Sequence, residues 1–257
     1  MLIDTHAHLN DSKYDSYREQ LIKDLKLNKI EKVFTVAYDK KSILESVKLA
    51  EEYENIYAII GIHPSEVQDY NDETIKLLKD LSSHPKVIAI GEIGLDYHYD
   101  NFDKNEQKRV FVSQMQIANE VGLPICIHNR DSIGDCLGIL KENKHLLNHG
   151  GVVHCFSESV EIYKEIKKLG LKVAFGGTLT FKNSVQAPAV CEIADLKDIL
   201  IETDCPYLTP HPFRGKTNEP KYANLVAEKI ALIKNISYDK VVETTTQNAL
   251  ELFKKVK

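Results

Sequence analysis

Six residues of ligand type stand where short apolar runs end, and together they could bind metal and move protons. The first two are His6 and His8, in Ile3-Asp4-Thr5-His6-Ala7-His8-Leu9. Residues two apart on a strand point to the same side, so both imidazoles can reach one ion. Glu92 follows the apolar run 87–90, with Gly91 before it and Gly94 just after. A carboxylate at the lip of a buried strand is costly unless a cation or a set of donors meets it. The glycines leave room for a ligand's close approach. His128 follows Cys126-Ile127, His154 follows Val152-Val153, and Asp204 follows Glu202-Thr203. Glu92 alone reads equally well as a polar turn, and each of the others alone reads better as an ordinary residue at a loop edge. Four histidines, a glutamate and an aspartate exceed what one open tetrahedral ion takes; they suit two ions sharing a carboxylate, with hydrolysis as the chemistry.

For these six to meet, the strands that carry them must end on one face. Apolar runs fall at 2–5, 32–37, 56–61, 87–91, 124–127, 151–153, 171–175 and 199–203. Helix-like stretches alternate with them at 14–28, 41–54, 72–82, 104–121, 132–143, 160–169, 184–194 and 222–234. A further helix is expected over 238–255. A spacing of about thirty residues per pair matches parallel βαβ units rather than hairpins. Runs without polar alternation imply burial on both faces. Eight repeats of strand then helix are what a (β/α)8 TIM barrel requires, and its active sites collect at the C-terminal strand ends. An open doubly wound sheet is the competing arrangement. No linker or low-complexity tract interrupts the chain, so residues 1–257 are expected to form a single domain.

Composition narrows the class. An apolar fraction of 43% is that of a globular chain, and no apolar run approaches the ~18 residues of a membrane span. The N-terminus has no basic region followed by an apolar stretch, so no secretory signal is expected. Five scattered cysteines, odd in number and without a CxxC pair, argue against a disulfide framework and for a reducing, cytoplasmic location. A net charge of -5 argues against broad coating of nucleic acid but leaves room for a local basic rim.

With these residues in view, the chain resembles the TatD-type metal-dependent deoxyribonucleases of the amidohydrolase-like barrel superfamily, over essentially its whole length. The resemblance rests on Asp4-Thr5-His6-Ala7-His8, Gly61-Ile62-His63-Pro64, Gly91-Glu92-Ile93-Gly94-Leu95-Asp96-Tyr97 and His128-Asn129-Arg130. It continues in His154-Cys155-Phe156-Ser157, Glu202-Thr203-Asp204 and Arg214-Gly215-Lys216-Thr217-Asn218. It implies one ion on His6, His8 and Glu92 and a second on Glu92, His128 and His154. Asp204 would complete the first ion's shell and handle protons. The family often has Gly where Glu158 stands and Ser or Thr where Asn129 stands; neither departure touches an expected ligand.

Other residues frame the site. Arg130, or Arg214 in the Pro-rich stretch 209–220, would clamp a phosphate, which a planar guanidinium does well; structural ion pairs with Asp96 or Asp131 are the alternative. His63 is expected either to contact substrate or to donate to a neighbouring carboxylate. Glu202 shares strand parity with Asp204 and would back a ligand histidine. Cys155 and Cys205 have the opposite parity and are not expected to be ligands.

The chemistry expected is phosphodiester hydrolysis. Two divalent ions about 3.5–4 Å apart would hold a bridging water and lower its pKa from ~15.7 toward ~7. Asp204 would take its proton. The resemblance implies DNA as substrate, single-stranded ends trimmed from the 3′ side, with no membrane and no obligate protein partner. Imidazole-rich ligation favours Zn, Mn, Fe or Co over Mg, whereas the resemblance implies Mg or Mn. Three rivals stand beside this reading. One is a hydrolase of a carboxylic ester, lactone or cyclic amide on the same barrel; many such enzymes use a carboxylated lysine on the fourth strand, where this chain has Glu92 and only Lys86 at the other end. Another is a D-aminoacyl-tRNA deacylase. The last is a non-catalytic binding protein that inherited the barrel.

Overall fold

Eight short strands, each followed by a helix, wind into one parallel sheet in the order β1 to β8. The computed structural model describes residues 1–99 and 103–257. The strands are β1 (Leu2–Ala7), β2 (Ile30–Val36), β3 (Ile56–Ile60), β4 (Val87–Asp96), β5 (Ile125–Arg130), β6 (Gly151–Val153), β7 (Lys172–Phe175) and β8 (Ile199–Ile201). Between them run α1 (Arg18–Lys23), α2 (Lys40–Glu52), α3 (Asp72–Leu81), α4 (Lys104–Val121), α5 (Ile133–Glu142), α6 (Val160–Lys168), α7 (Gln186–Ile193) and α8 (Ala223–Lys234). A ninth helix, α9 (Tyr238–Leu252), follows. The closed (β/α)8 barrel, rather than the open sheet, is what forms.

Closure is polar as well as apolar. Every neighbouring pair from β1–β2 to β7–β8 is a parallel ladder, but β1 meets the eighth strand's extension through one isolated bridge, Ala7 to Cys205. Beside it, Thr5 Oγ1 donates to Ile201 O at 3.0 Å, and the N–H groups of His8 and Asp204 donate to Cys205 O and His6 O at 2.7 and 2.9 Å. The seam therefore sets His6 and His8 against Asp204.

The barrel's interior is filled by Ile3, Phe34, Val36, Ile59, Ile88, Cys126, Ala174 and Leu200, which form one apolar cluster with Leu252, Phe253 and Val256. Leu252 ends α9 and Phe253 and Val256 follow it, so the end of this helix and the residues just after it plug the N-terminal mouth; Phe253 packs edge-on against Phe34 at 5.0 Å between ring centroids. A second and larger cluster lies between the strands and the outer helices. Among the described residues no helix is long and apolar enough to cross a membrane.

Three departures from expectation bear on the site. The helix expected over 14–28 is reduced to α1. Ahead of it Asp11 caps a short 3-10 turn, Ser12–Tyr14, and the buried Tyr14 hydroxyl donates to Asn218 O at 2.6 Å. That tether across the barrel top outweighs local helical preference. β4 runs on past 91 to Asp96, because Gly94, Leu95 and Asp96 pair with His128, Asn129 and Arg130. The strand expected over 199–203 stops at Ile201; Thr203 turns aside to bind Asp4.

Candidate active site

Glu92 lies at the centre of the C-terminal face because β4 is irregular there. The β4–β5 register shifts between Ile90 and Ile93, which re-aims a side chain as bulges do. The shift needs close backbone approach. A Cβ on Gly91 would lie 2.6 Å from Cys126 Cβ, and one on Gly94 (φ +147) only 2.0 Å from His128 O.

The two oxygens of Glu92 divide the imidazoles. Oε1 lies 2.7 Å from His128 Nδ1, 2.6 Å from His154 Nε2 and 3.9 Å from His63 Nε2. Oε2 lies 3.4 Å from His6 Nε2 and 3.8 Å from His8 Nε2. Asp204 completes the second group, its Oδ1 3.4 Å from His8 Nε2 and 3.8 Å from His6 Nε2. All six sequence-expected ligands thus converge. Asp204 reaches them through a left-handed backbone (φ 54) just beyond the seam.

Buried neighbours settle which nitrogen faces inward. His8 Nδ1 sits 3.0 Å from Val36 O, a pure acceptor, so Nδ1 carries the proton and Nε2 presents its lone pair to the site. Asp96 Oδ2 lies 3.1 Å from His128 Nε2, leaving Nδ1 toward Glu92. Behind His154 stands Glu202, fully buried, its Oε1 3.6 Å from His154 Nδ1 and accepting the Cys155 N–H at 2.6 Å. His63 differs. The Ser65 N–H donates to its Nδ1 at 3.1 Å, so the neutral ring carries its proton on Nε2. Its Nε2 faces Glu92 Oε1 across 3.9 Å, beyond hydrogen-bond reach, at the cavity wall.

The electrostatics follow from burial and mutual charge. Burial pushes the Glu92 carboxyl up, but His154 and His6, with the His128 contact, outweigh it and hold Glu92 well below the usual carboxylate range. Asp204 is likewise held low: burial is opposed chiefly by His8. Burial pulls His63 down to about 3, reinforced by the neighbouring His128, so it stays neutral. The site therefore presents two ionised carboxylates among imidazoles.

The residues fit divalent metal. Ligand atoms of His6, His8 and Glu92 all lie within 4.8 Å of one another, as do those of His6, His154 and Glu202. His6 Nε2 is buried with no hydrogen-bond partner while facing two carboxylates. An imidazole nitrogen so placed belongs to a cation's donor set.

Above this cluster is a cavity of about 300 Å³ lined by His8, Tyr38, His63, Ser65, Glu92, Asp96, Tyr99, His128, Arg130, His154, Asp204 and Tyr207. Arg130 is therefore at the site, its guanidinium 5.7 Å from the Tyr99 ring centroid. The carboxylates named as its alternative partners face elsewhere: Asp96 toward His128, Asp131 toward His98 at 3.0 Å. Arg214 does not line the cavity. Its guanidinium stacks 3.8 Å over Phe181 and donates to Thr209 O. Cys155 Sγ is 4.0 Å from Thr178 Oγ1 and Cys205 is buried in the seam, neither turned toward Glu92. Asp96 was missed as a site residue, although it shares strand parity with Glu92 and Gly94. Tyr38 and Tyr207 were missed too; their one sequence signal is proximity to strand ends.

The family model described as TatD related DNase matches residues 3–254. The chain is 46% identical to YabD of Bacillus subtilis, described as an uncharacterized metal-dependent hydrolase, over 99% of both chains. It is 34% identical to YcfH of Escherichia coli, described in the same words, over 98% of this chain and 95% of that one. Among solved structures, that of the TatD homologue YjjV of Escherichia coli superposes with a TM-score of 0.93 at 27% identity, covering 98% of each. The chain belongs to the TatD-related DNase family and is a metal-dependent hydrolase of that family.

Proposed function

We propose that this hydrolase cleaves phosphodiester bonds of DNA, removing nucleotides from single-stranded 3′ ends, with two divalent ions seated on either side of Glu92. The observation that carries the reading is the division of Glu92: one oxygen facing His6 and His8, the other His128 and His154. Bound there, two ions would acidify a water and neutralise charge on phosphoryl oxygens. His6, His8, Glu92 and Asp204 would hold the first ion, and Glu92, His128 and His154 the second; Zn, Mn, Mg, Fe and Co remain the choices of metal. Asp204 Oδ1, ionised and next to His8, accepts the proton of the attacking water and returns it to the leaving oxygen. Neutral His63 points Nε2–H toward Glu92 and the cavity, where it donates to substrate oxygen. Arg130 at the cavity wall offers a guanidinium to a phosphate. Arg214, stacked on Phe181, serves DNA only if the strand extends past the cavity. Five unpaired cysteines support a reducing, cytoplasmic setting.

The family's description as DNase supports DNA, and among the described residues no lysine lines the cavity, which weighs against the carboxylated-lysine rivals. Lys86 Nζ is instead bound to Tyr53 O, Glu54 O and Ile56 O at the N-terminal end of β4. The deciding experiment strips the protein of metal, refills it ion by ion, and offers single-stranded DNA, a lactone and a D-aminoacyl-tRNA ester side by side. Mononucleotide release that disappears in Glu92→Ala is expected. Turnover of only the carbon-centred substrates would overturn the reading.

A further inference from the structure

Toward Arg130 the cavity sets a guanidinium beside the Tyr99 ring. Toward His8 it is aromatic: the Tyr38 and Tyr207 rings lie 6.1 and 5.9 Å from the His8 ring, each inclined by 65°. Both are open to solvent, at 37% and 45% exposure. A single exposed tyrosine needs no explanation; two converging on one ligand histidine at the mouth of a cavity do.

The Tyr207 ring is held by its side chain, and Tyr38 is anchored through its backbone. The Tyr207 hydroxyl donates to Asp11 Oδ2 at 2.8 Å, the Lys13 ammonium sits 4.5 Å from its ring centroid, and Asn218 Nδ2 donates to its carbonyl at 2.6 Å. The Tyr38 N–H donates to Ser42 Oγ at 2.9 Å, and its carbonyl accepts the His63 N–H at 2.8 Å. A ring fixed in advance, as that of Tyr207 is, loses little freedom when a ligand arrives. Stacking on such rings suits any base, since every base has a π-face.

We infer that Tyr38 and Tyr207 form a stacking subsite for a nucleobase beside the scissile phosphodiester, which rests on the phosphodiester reading above. The base lies on the His8 and Asp204 side of Glu92, and the chain's next phosphate runs toward Arg130. Lys13 adds positive charge behind the aromatic end. The subsite selects for the presence of a base and not for its identity.

The test compares a single-stranded oligothymidylate with a matched oligomer carrying an abasic deoxyribose at its 3′ terminus, on metal-loaded protein. The wild type is expected to prefer the base-bearing substrate. In Tyr38→Leu and Tyr207→Leu that preference in kcat/KM should fall about 5- to 150-fold, the range of one lost base–aromatic stack, with the change carried by KM. Tyr207→Phe keeps the ring and should keep the preference. Equal use of both substrates by the wild type, or variants that slow both equally, would overturn the inference. If the wild type cleaves neither oligomer, the phosphodiester reading fails on its own. Binding of thymidine 5′-phosphate to the metal-loaded protein then decides: weaker binding in both leucine variants sustains the subsite, and unchanged affinity ends it.

Discussion

Thr203 and Asp4, 199 residues apart, are joined at the barrel seam: the Thr203 hydroxyl donates to Asp4 Oδ2 at 2.6 Å and its N–H to Asp4 Oδ1 at 3.0 Å. Asp4 Oδ1 also receives the His6 N–H at 3.3 Å. The pair thus locks β1, which carries His6 and leads into His8, to the segment carrying Asp204, where one isolated β-bridge joins the described residues.

Removing that hydroxyl should loosen the seam. Thr203→Val leaves a buried Asp4 side-chain oxygen short of its partner, at a cost of about 1–3 kcal/mol. Turnover should fall with it because Asp204 loses its register against His8, and Thr203→Ser should restore both. Denaturant midpoints and kcat check this; a valine variant with wild-type values in both would show the seam to be set elsewhere.

Gly94 bears on the other half of the site. Alanine there would drive its Cβ into His128 O, at a backbone angle that side chains rarely adopt. A carbonyl in a strand ladder cannot swing away, so Gly94→Ala should cost on the order of 2–4 kcal/mol. It should also displace His128, lowering metal bound per chain by up to one ion, as elemental analysis would reveal. Full metal content in the variant would refute the link between this glycine and the ligand.

Metal should stabilise the fold in proportion to its affinity. At a free concentration 100 times Kd, one ion adds about 2.7 kcal/mol, which for a chain of this size raises Tm by about 5–10 °C. Chelation should reverse the gain. Glu92→Gln, which removes the charge between the four imidazoles, should abolish most of it. A Tm indifferent to chelator and to metal would count against the whole donor set.

Lys86 separates stability from chemistry. Its ammonium binds three carbonyls and lies 4.3 Å from the Tyr57 ring centroid, at the mouth opposite the cavity. Lys86→Met should cost about 1–3 kcal/mol from those carbonyls while turnover per folded molecule stays at the wild-type level. Loss of turnover with stability intact would bring back a lysine-dependent mechanism.

Strand and helix order was readable along the chain because strands buried on both faces appear as short unbroken apolar runs, such as 87–90 and 125–127, between helical stretches. His6, His8, Glu92, His128, His154 and Asp204 stood out for a related reason: a polar or charged residue ending such a run is conspicuous. Spacing along a strand also foretold that His6 and His8 share a side. Contacts across the barrel left no such trace. Which oxygen of Glu92 meets which histidine depends on the register shift after Ile90 and on closure through Asp4 and Thr203, both properties of distant strands in one arrangement. Tyr38 and Tyr207 join the cavity, and Arg214 turns away to Phe181, for the same reason: where a side chain past a strand end points is set by what the neighbouring loops pack against, and those neighbours are far away in the chain.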